Sequence, residues 1–287
     1  MIHRDTIFKI LGSLLFIEVA IMLACFAMAI GFGEDDEMPF AISIVLTLLT
    51  GIVLRYLGRH SDNTMSRRDA YLVVSLSWVI FSLFGTLPFV ISGYIPSFTD
   101  AYFETMSGFT TTGATILDNV DALPHGLLFW RSMTQWIGGL GIVFFTTAIL
   151  PSFVGGSVKV FAAEATGPIS SKLHPRLSTS AKWIWTVYFL LTLACVLSFM
   201  AFGMGWFDSL NYAMGSTATG GFSTHNNSAE FFRSPAIEYV ATLFCFLSGA
   251  NFTLLYTTAL RRSLKPMWKN AEFKFYLFVV LAFTLFM

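Results

Sequence analysis

Phe109-Thr110-Thr111-Thr112-Gly113-Ala114-Thr115 decides how this chain is read, and Thr217-Ala218-Thr219-Gly220-Gly221-Phe222 echoes it. Each segment is rich in Thr and Gly, follows a short segment that reads as a partial helix, and lies between two long apolar runs. Irregular backbone is tolerated at membrane depth only where protein buries it or where it lines a wet cavity. Rings of backbone carbonyls from such loops replace the water around a permeating cation. The pattern therefore points to a membrane protein with pore loops that suit a monovalent cation. A helix-packing patch or a plain outer turn would not need a short helix before it and a span after it, twice over.

The surrounding composition agrees. Of 287 residues, 55% are hydrophobic and only 12% charged, against about 25% charged in soluble domains. The mean hydropathy is +0.69. Lys and Arg number 17, as do Asp and Glu, and their placement alternates. All basic residues but Arg131 and Arg233 fall into four clusters, at 4–9, 55–68, 159–182 and 261–274. The connections between carry Glu34-Asp35-Asp36-Glu37, then Asp100, Asp118 and Asp121, then Asp208 and Glu230. The positive-inside rule puts the basic clusters, and the N-terminus with them, in the cytoplasm. An inner-membrane or plasma-membrane location is expected. Cys25, Cys195 and Cys245 sit in apolar runs without metal-ligand spacing or a disulfide framework.

Runs of about 20 apolar residues suffice to span a bilayer, and such runs occupy 7–30, 40–57, 71–94, 127–150, 183–204 and 235–260. The first is too long for a signal-peptide core of about 7–15 residues and is read as a retained span. Residues 96–109 and 208–215 are too short and polar to cross. One register superposes Gly108 on Gly215, Thr110 on Thr217, Thr112 on Thr219 and Gly113 on Gly220, and the flanking order of span, short helix, loop and span repeats with it. The expected fold class is an all-α multi-pass membrane protein. Its expected organisation is two N-terminal transmembrane helices in 1–68, a first pore unit with cytoplasmic linker in 69–180, a second in 181–265, and the start of a third in 266–287.

Gly adopts unusual dihedrals without steric cost, which lets successive carbonyls share one axis. The short helices would aim their partially negative C-termini at the ion, and outer carboxylates would gather cations at the entrance. Gly138-Gly139-Leu140-Gly141 looks like a nucleotide loop, but it lies within a span with no strand before it, so it is read as helix packing.

The run Tyr102-Phe103-Glu104-Thr105-Met106-Ser107-Gly108 leading into the first loop, followed by Phe129-Trp130-Arg131-Ser132-Met133-Thr134-Gln135-Trp136-Ile137-Gly138-Gly139, closely resembles the Trk/Ktr/HKT superfamily of potassium uptake proteins. It is most similar to the bacterial TrkH branch, whose two additional N-terminal helices match 7–30 and 40–57. The second unit, Met214-Gly215-Ser216-Thr217-Ala218-Thr219-Gly220-Gly221-Phe222, is similar to that family's second filter. The resemblance implies four span–pore–span units around one path, a homodimer in lipid, and a cytoplasmic nucleotide-binding regulatory subunit. It implies filter glycines at Gly113 and Gly220, ion-binding carbonyls at Thr111, Thr112, Ala218 and Thr219, and K⁺ as the transported substrate, with no organic cofactor. A Ser at a filter Gly goes with Na⁺ permeation in some plant relatives; both positions are Gly here. Two of the four units are present, so the chain is expected to be truncated, or to pair with another copy to complete a pore.

Other polar residues carry separate expectations. Glu18, mid-span, is expected to make a structural contact. Glu104 is expected to be a buried brace, with Asn211 as its counterpart, and Asn251 to line the cavity or bond across helices. Arg131 and Glu238 occupy equivalent positions in the repeat register and are candidates for an ion pair or clamp behind the filter. The five histidines are too scattered for one metal site, and no Ser/His/Asp or paired-carboxylate arrangement suggests an enzyme or nucleic-acid chemistry. The rival readings are a secondary transporter coupled to H⁺ or Na⁺, with its site at broken helices, and a non-conducting fragment or scaffold.

Overall fold

The computed structural model describes residues 2–62, 66–141, 177–261 and 263–286. Residues 142–150 of the fourth expected span and most of the basic segment 151–180 lie outside the described residues, as does His174. Every regular element among the described residues is helical. In chain order they are α1 (Arg4–Phe32), α2 (Glu37–Leu57), α3 (Arg67–Gly85), α4 (Leu87–Ser92), α5 (Phe98–Phe109), α6 (His125–Gly138), α7 (Leu177–Ala201), α8 (Trp206–Thr217), α9 (Pro235–Ser248), α10 (Phe252–Arg261), α11 (Lys265–Lys269) and α12 (Ala271–Phe286). Two short 3₁₀ turns, Val120–Ala122 and Ser228–Phe232, lie in the connections after the Thr/Gly loops.

Helix α1 organises the first half. At 29 residues and about 1.5 Å per residue it outreaches a hydrocarbon core of about 30 Å. It packs against α2, α3 and α6. Its seam with α2 is built on small residues: a Cβ on Gly12 would stand 2.7 Å from the Gly51 carbonyl, and one on Gly58 2.5 Å from the backbone of Asp5 and Lys9. In lipid, apolar surface gains little by burial, so this close backbone approach and the polar ties across it hold the pair. Arg55 donates to Ser13 Oγ at 3.1 Å, and the exposed face of α2 carries Val45, Leu49, Ile52 and Val53 for the bilayer. Ser66 caps α3 in a reciprocal box with Asp69, whose carboxylate also accepts from the His3 backbone and ring nitrogens.

Four helical stretches are long and apolar enough to cross a membrane: Arg4–Phe32, Glu37–Leu57, Arg68–Ser92 and Trp183–Ala201. They match four of the six expected spans. Pro88, which lacks an N–H, follows a break at Thr86 between α3 and α4. The sixth expected span is not continuous. It breaks at Gly249-Ala250-Asn251 into α9 and α10, with the Tyr276 hydroxyl donating to the Phe246 carbonyl beside the break at 3.0 Å. Likewise α6 stops at Gly138, and Gly141 has φ +79°.

Glu18 is fully buried on α1, and neither of its oxygens has a hydrogen-bond partner among the described residues. The three cysteines are free thiols.

Candidate functional site

Both short helices run to twelve residues and end in the same way. Beyond α5, the N–H groups of Thr110, Thr111 and Thr112 turn back to the carbonyls of Met106, Gly108 and Ser107. Beyond α8, those of Ala218, Thr219 and Gly220 turn back to Met214, Ser216 and Gly215. The dihedrals repeat in step. Thr111 has φ +54° and Gly113 +74°; Thr219 has φ +53° and Gly221 +88°. Left-handed backbone is rare for a β-branched residue and costs about 1–3 kcal/mol. Its recurrence at both threonines marks two loops held in one strained form.

This pattern corrects the repeat register. Gly113 corresponds to Gly221, not Gly220, and Thr112 corresponds to Gly220. The side chains follow the same register. Thr115 Oγ1 donates to the Glu104 carboxylate at 3.0 Å, and at the corresponding places Tyr212 and Ser223 share a hydrogen bond of 2.6 Å. The counterpart of Glu104 is therefore Tyr212 rather than Asn211, whose amide turns to the Phe207 carbonyl of its own helix. Adjacent glycines at 220 and 221 permit either alignment, and residue identity favours the wrong one; the backbone hydrogen bonds, dihedrals and side-chain ties discriminate.

The loops meet. A Cβ on Gly113 would run into the Gly220 carbonyl, and one on Gly220 into the Gln135 amide. Thr112, Thr219 and Gly221 are exposed, Thr111 and Gly113 half-buried, and Ala218 and Gly220 buried. Ala218 lies against Gly139, where a Cβ would approach its Cα to 2.9 Å. Gly138 and Gly139 thus serve as close-packing positions against the two loops, in accord with the packing reading of that motif.

Helix α6 clamps both loops. Arg131 Nε donates to Glu104 Oε1 at 2.8 Å, and the two side chains are 2% and 0% exposed. Glu104 also accepts from the Ile116 N–H at 3.0 Å. Arg131 reaches on to the Ser223 carbonyl at 3.0 Å, and its guanidinium lies 4.2 Å from the centre of the Phe222 ring. One turn on, Gln135 Oε1 accepts from the Phe222 N–H at 3.0 Å. Glu104 is thus the buried brace expected of it, and its partner is Arg131. The expected equivalence of Arg131 with Glu238 fails. The post-loop helices α6 and α9 both have fourteen residues, which places Ala241 at the position of Arg131, and Glu238 is exposed.

Two further sets of ties went unread in the sequence. The acidic turn after α1 caps α6, with Glu34 accepting from the His125 N–H at 2.5 Å and Asp36 from the Leu127 N–H at 3.0 Å. Carboxylates suit the positive end of a helix. Across the outer connections, Asn226 Oδ1 accepts from the Val120 N–H at 2.7 Å, while Asp121 accepts from the His225 ring at 2.7 Å and from the Asn226 N–H at 3.2 Å. The hydrogen bonds from His225 and then Asn226 hold the Asp121 carboxyl below its ordinary range, outweighing its partial burial. The signal for these contacts was no more than polar residues at helix starts and turns. Among the described residues, no group of three or more His, Cys, Asp or Glu could hold a metal ion.

Comparison with known proteins places this architecture. The family described as "TrkH: Cation transport protein" matches residues 36–287. The Trk system potassium uptake protein TrkH of Halomonas elongata is 37% identical over 271 residues, covering 94% of this chain and 56% of that protein. The protein of the same name from Escherichia coli K12 is 36% identical over 285 residues, covering 99% of this chain and 59% of its own. The crystal structure of the potassium transporter TrkH from Vibrio parahaemolyticus superposes with a TM-score of 0.82 at 35% identity, over 98% of this chain and 58% of that one. The chain thus spans somewhat more than half the length of the relatives it matches. With the family matched from the start of α2 onward and the helical order shared with a solved relative, the chain belongs to the TrkH family of cation transport proteins, not to a family of enzymes.

Proposed function

We propose that this chain contributes the first two pore loops of a potassium uptake system, in which K⁺ moves passively through a filter of backbone carbonyls. The observation that carries the reading is the pair of loops with left-handed residues at matching positions, set side by side with Gly113 against the Gly220 carbonyl. In this reading Gly113 and Gly221 hold equivalent filter positions, and carbonyls from 111–113 and 218–221 would replace the ion's water. Residues 69–180 and 181–265 form the two pore units, after two N-terminal transmembrane helices in 1–68.

Membrane potential suffices as the driving force. At about 2.3 kcal/mol per 100 mV it supports roughly 50-fold accumulation of a monovalent cation. The names of the relatives, potassium uptake proteins of a Trk system, support both the ion and membership of a multicomponent system; a place in the bacterial inner membrane is part of the same proposal. A homodimer, a cytoplasmic N-terminus and a cytoplasmic nucleotide-binding regulatory subunit belong to the same proposal.

The test is K⁺ against Na⁺ flux into liposomes holding the chain, beside a Gly113→Asp variant. K⁺-selective flux abolished by the substitution is expected where copies of the chain pair to complete the ring of loops. Flux indifferent to it overturns the filter assignment.

A further inference from the structure

The polar grip of α6 on the second loop is confined to one seam. Gln135 is fully buried, its Oε1 holds the Phe222 N–H, and its amide fills the space behind Gly220, where a Cβ would collide with it. The same amide nitrogen lies 3.7 Å from the Cβ position of Gly113. One side chain therefore touches the second loop from behind and borders the first. At the corresponding positions of α9, the places of Arg131 and Gln135 are taken by Ala241 and Cys245. Alanine has no hydrogen-bonding side chain and a thiol is a weak acceptor, so nothing there repeats the amide-to-backbone bond.

Carbonyl filters discriminate between ions through the spacing and number of their oxygens. The Phe222 N–H directly follows the Gly221 carbonyl in the chain, in the same peptide unit, so its partner fixes the plane in which that carbonyl lies. We propose that Gln135 is a positioning residue for selectivity, which orients the Gly221–Phe222 peptide and sets its distance from Gly113. The proposal rests on the potassium-filter reading above.

Three variants of the full chain in liposomes test it: Gln135→Met, which keeps the volume and removes the acceptor; Gln135→Glu, which keeps the acceptor; and Gly220→Ala, which displaces the amide from the other side. The K⁺/Na⁺ flux ratio should fall at least about fivefold in Gln135→Met, the factor set by one net hydrogen bond. It should fall similarly in Gly220→Ala and recover in Gln135→Glu. Amide exchange at Phe222, measured on the same preparations, should accelerate about fivefold in Gln135→Met. An unchanged ratio in both Gln135→Met and Gly220→Ala, or K⁺ and Na⁺ fluxes falling in proportion, overturns the inference. Absence of K⁺ flux in the unmodified chain shows that copies of it do not assemble a complete ring of loops, and the exchange rate at Phe222 then decides whether Gln135 holds that peptide: a rate unchanged in Gln135→Met overturns the inference.

Discussion

Removing Glu104 or Arg131 singly should be costly, and removing both should cost far less than the sum. Glu104→Ala takes away the acceptor of three donors: Arg131 Nε at 2.8 Å, Thr115 Oγ1 at 3.0 Å and the Ile116 N–H at 3.0 Å. The guanidinium left behind is 2% exposed and keeps the Ser223 carbonyl, a long contact to Thr115 Oγ1 and the Phe222 ring. Breaking a buried pair from one side costs about 3–5 kcal/mol, because a charge remains without compensation. Arg131→Ala should cost about 3 kcal/mol, the low end, because two donors still serve the Glu104 carboxylate. The double variant buries no orphan charge, so a coupling of about 2–3 kcal/mol is expected. Unfolding of the reconstituted chain in mixed micelles of increasing denaturing detergent would measure the cycle. Additivity within about 0.5 kcal/mol would refute the reasoning. Exchanging the two charges should not restore stability, because Ile116 requires an acceptor at 104 and Ser223 a donor at 131. A swap that recovered would mean that net attraction, rather than direction, holds the loops.

Other substitutions probe other parts of the argument. Gly113→Ala pays about 1–2 kcal/mol for its left-handed dihedral and meets the Gly220 carbonyl; K⁺ flux should be lost, while Gly31→Ala, with open space around it, should conduct normally. Asp36→Ala removes a cap of α6 and should lower stability by about 0.5–2 kcal/mol in the same unfolding assay; no change would mean that Glu34 alone caps the helix. Asp121 has a depressed folded-state pKa, so its stabilisation is complete above the unfolded value of about 3.9 and is lost as pH falls through the lower folded value. Because Asp121 is about half exposed, the effect is small; comparing unfolding midpoints at about pH 6 and pH 3 should show a steeper acid loss in the parent than in Asp121→Asn.

Much of the scaffold was legible because a bilayer restricts the options. Backbone in hydrocarbon must satisfy itself, so long apolar runs become helices, and α1, α2, the α3–α4 pair and α7 fall where hydropathy places them. The short helices α5 and α8 were readable as segments too short and too polar to cross. The break between α9 and α10 escaped the reading, since the small residues Gly249 and Ala250 also occur within helices and a single Asn251 does not interrupt the apolar run; the contacts of Tyr276 with Gly249 and Phe246 mark the break in the fold.

The sequence by itself determined a helical membrane protein with two equivalent Thr/Gly loops, because hydropathy and glycine chemistry act locally along the chain. Tertiary structure alone decided that Gly113 matches Gly221, that Arg131 pairs with Glu104, and that Gln135 stands between the loops. Those facts depend on hydrogen-bond direction and on partners up to 87 positions apart, and a side chain's partner across such a distance leaves no periodic trace in the order of residues.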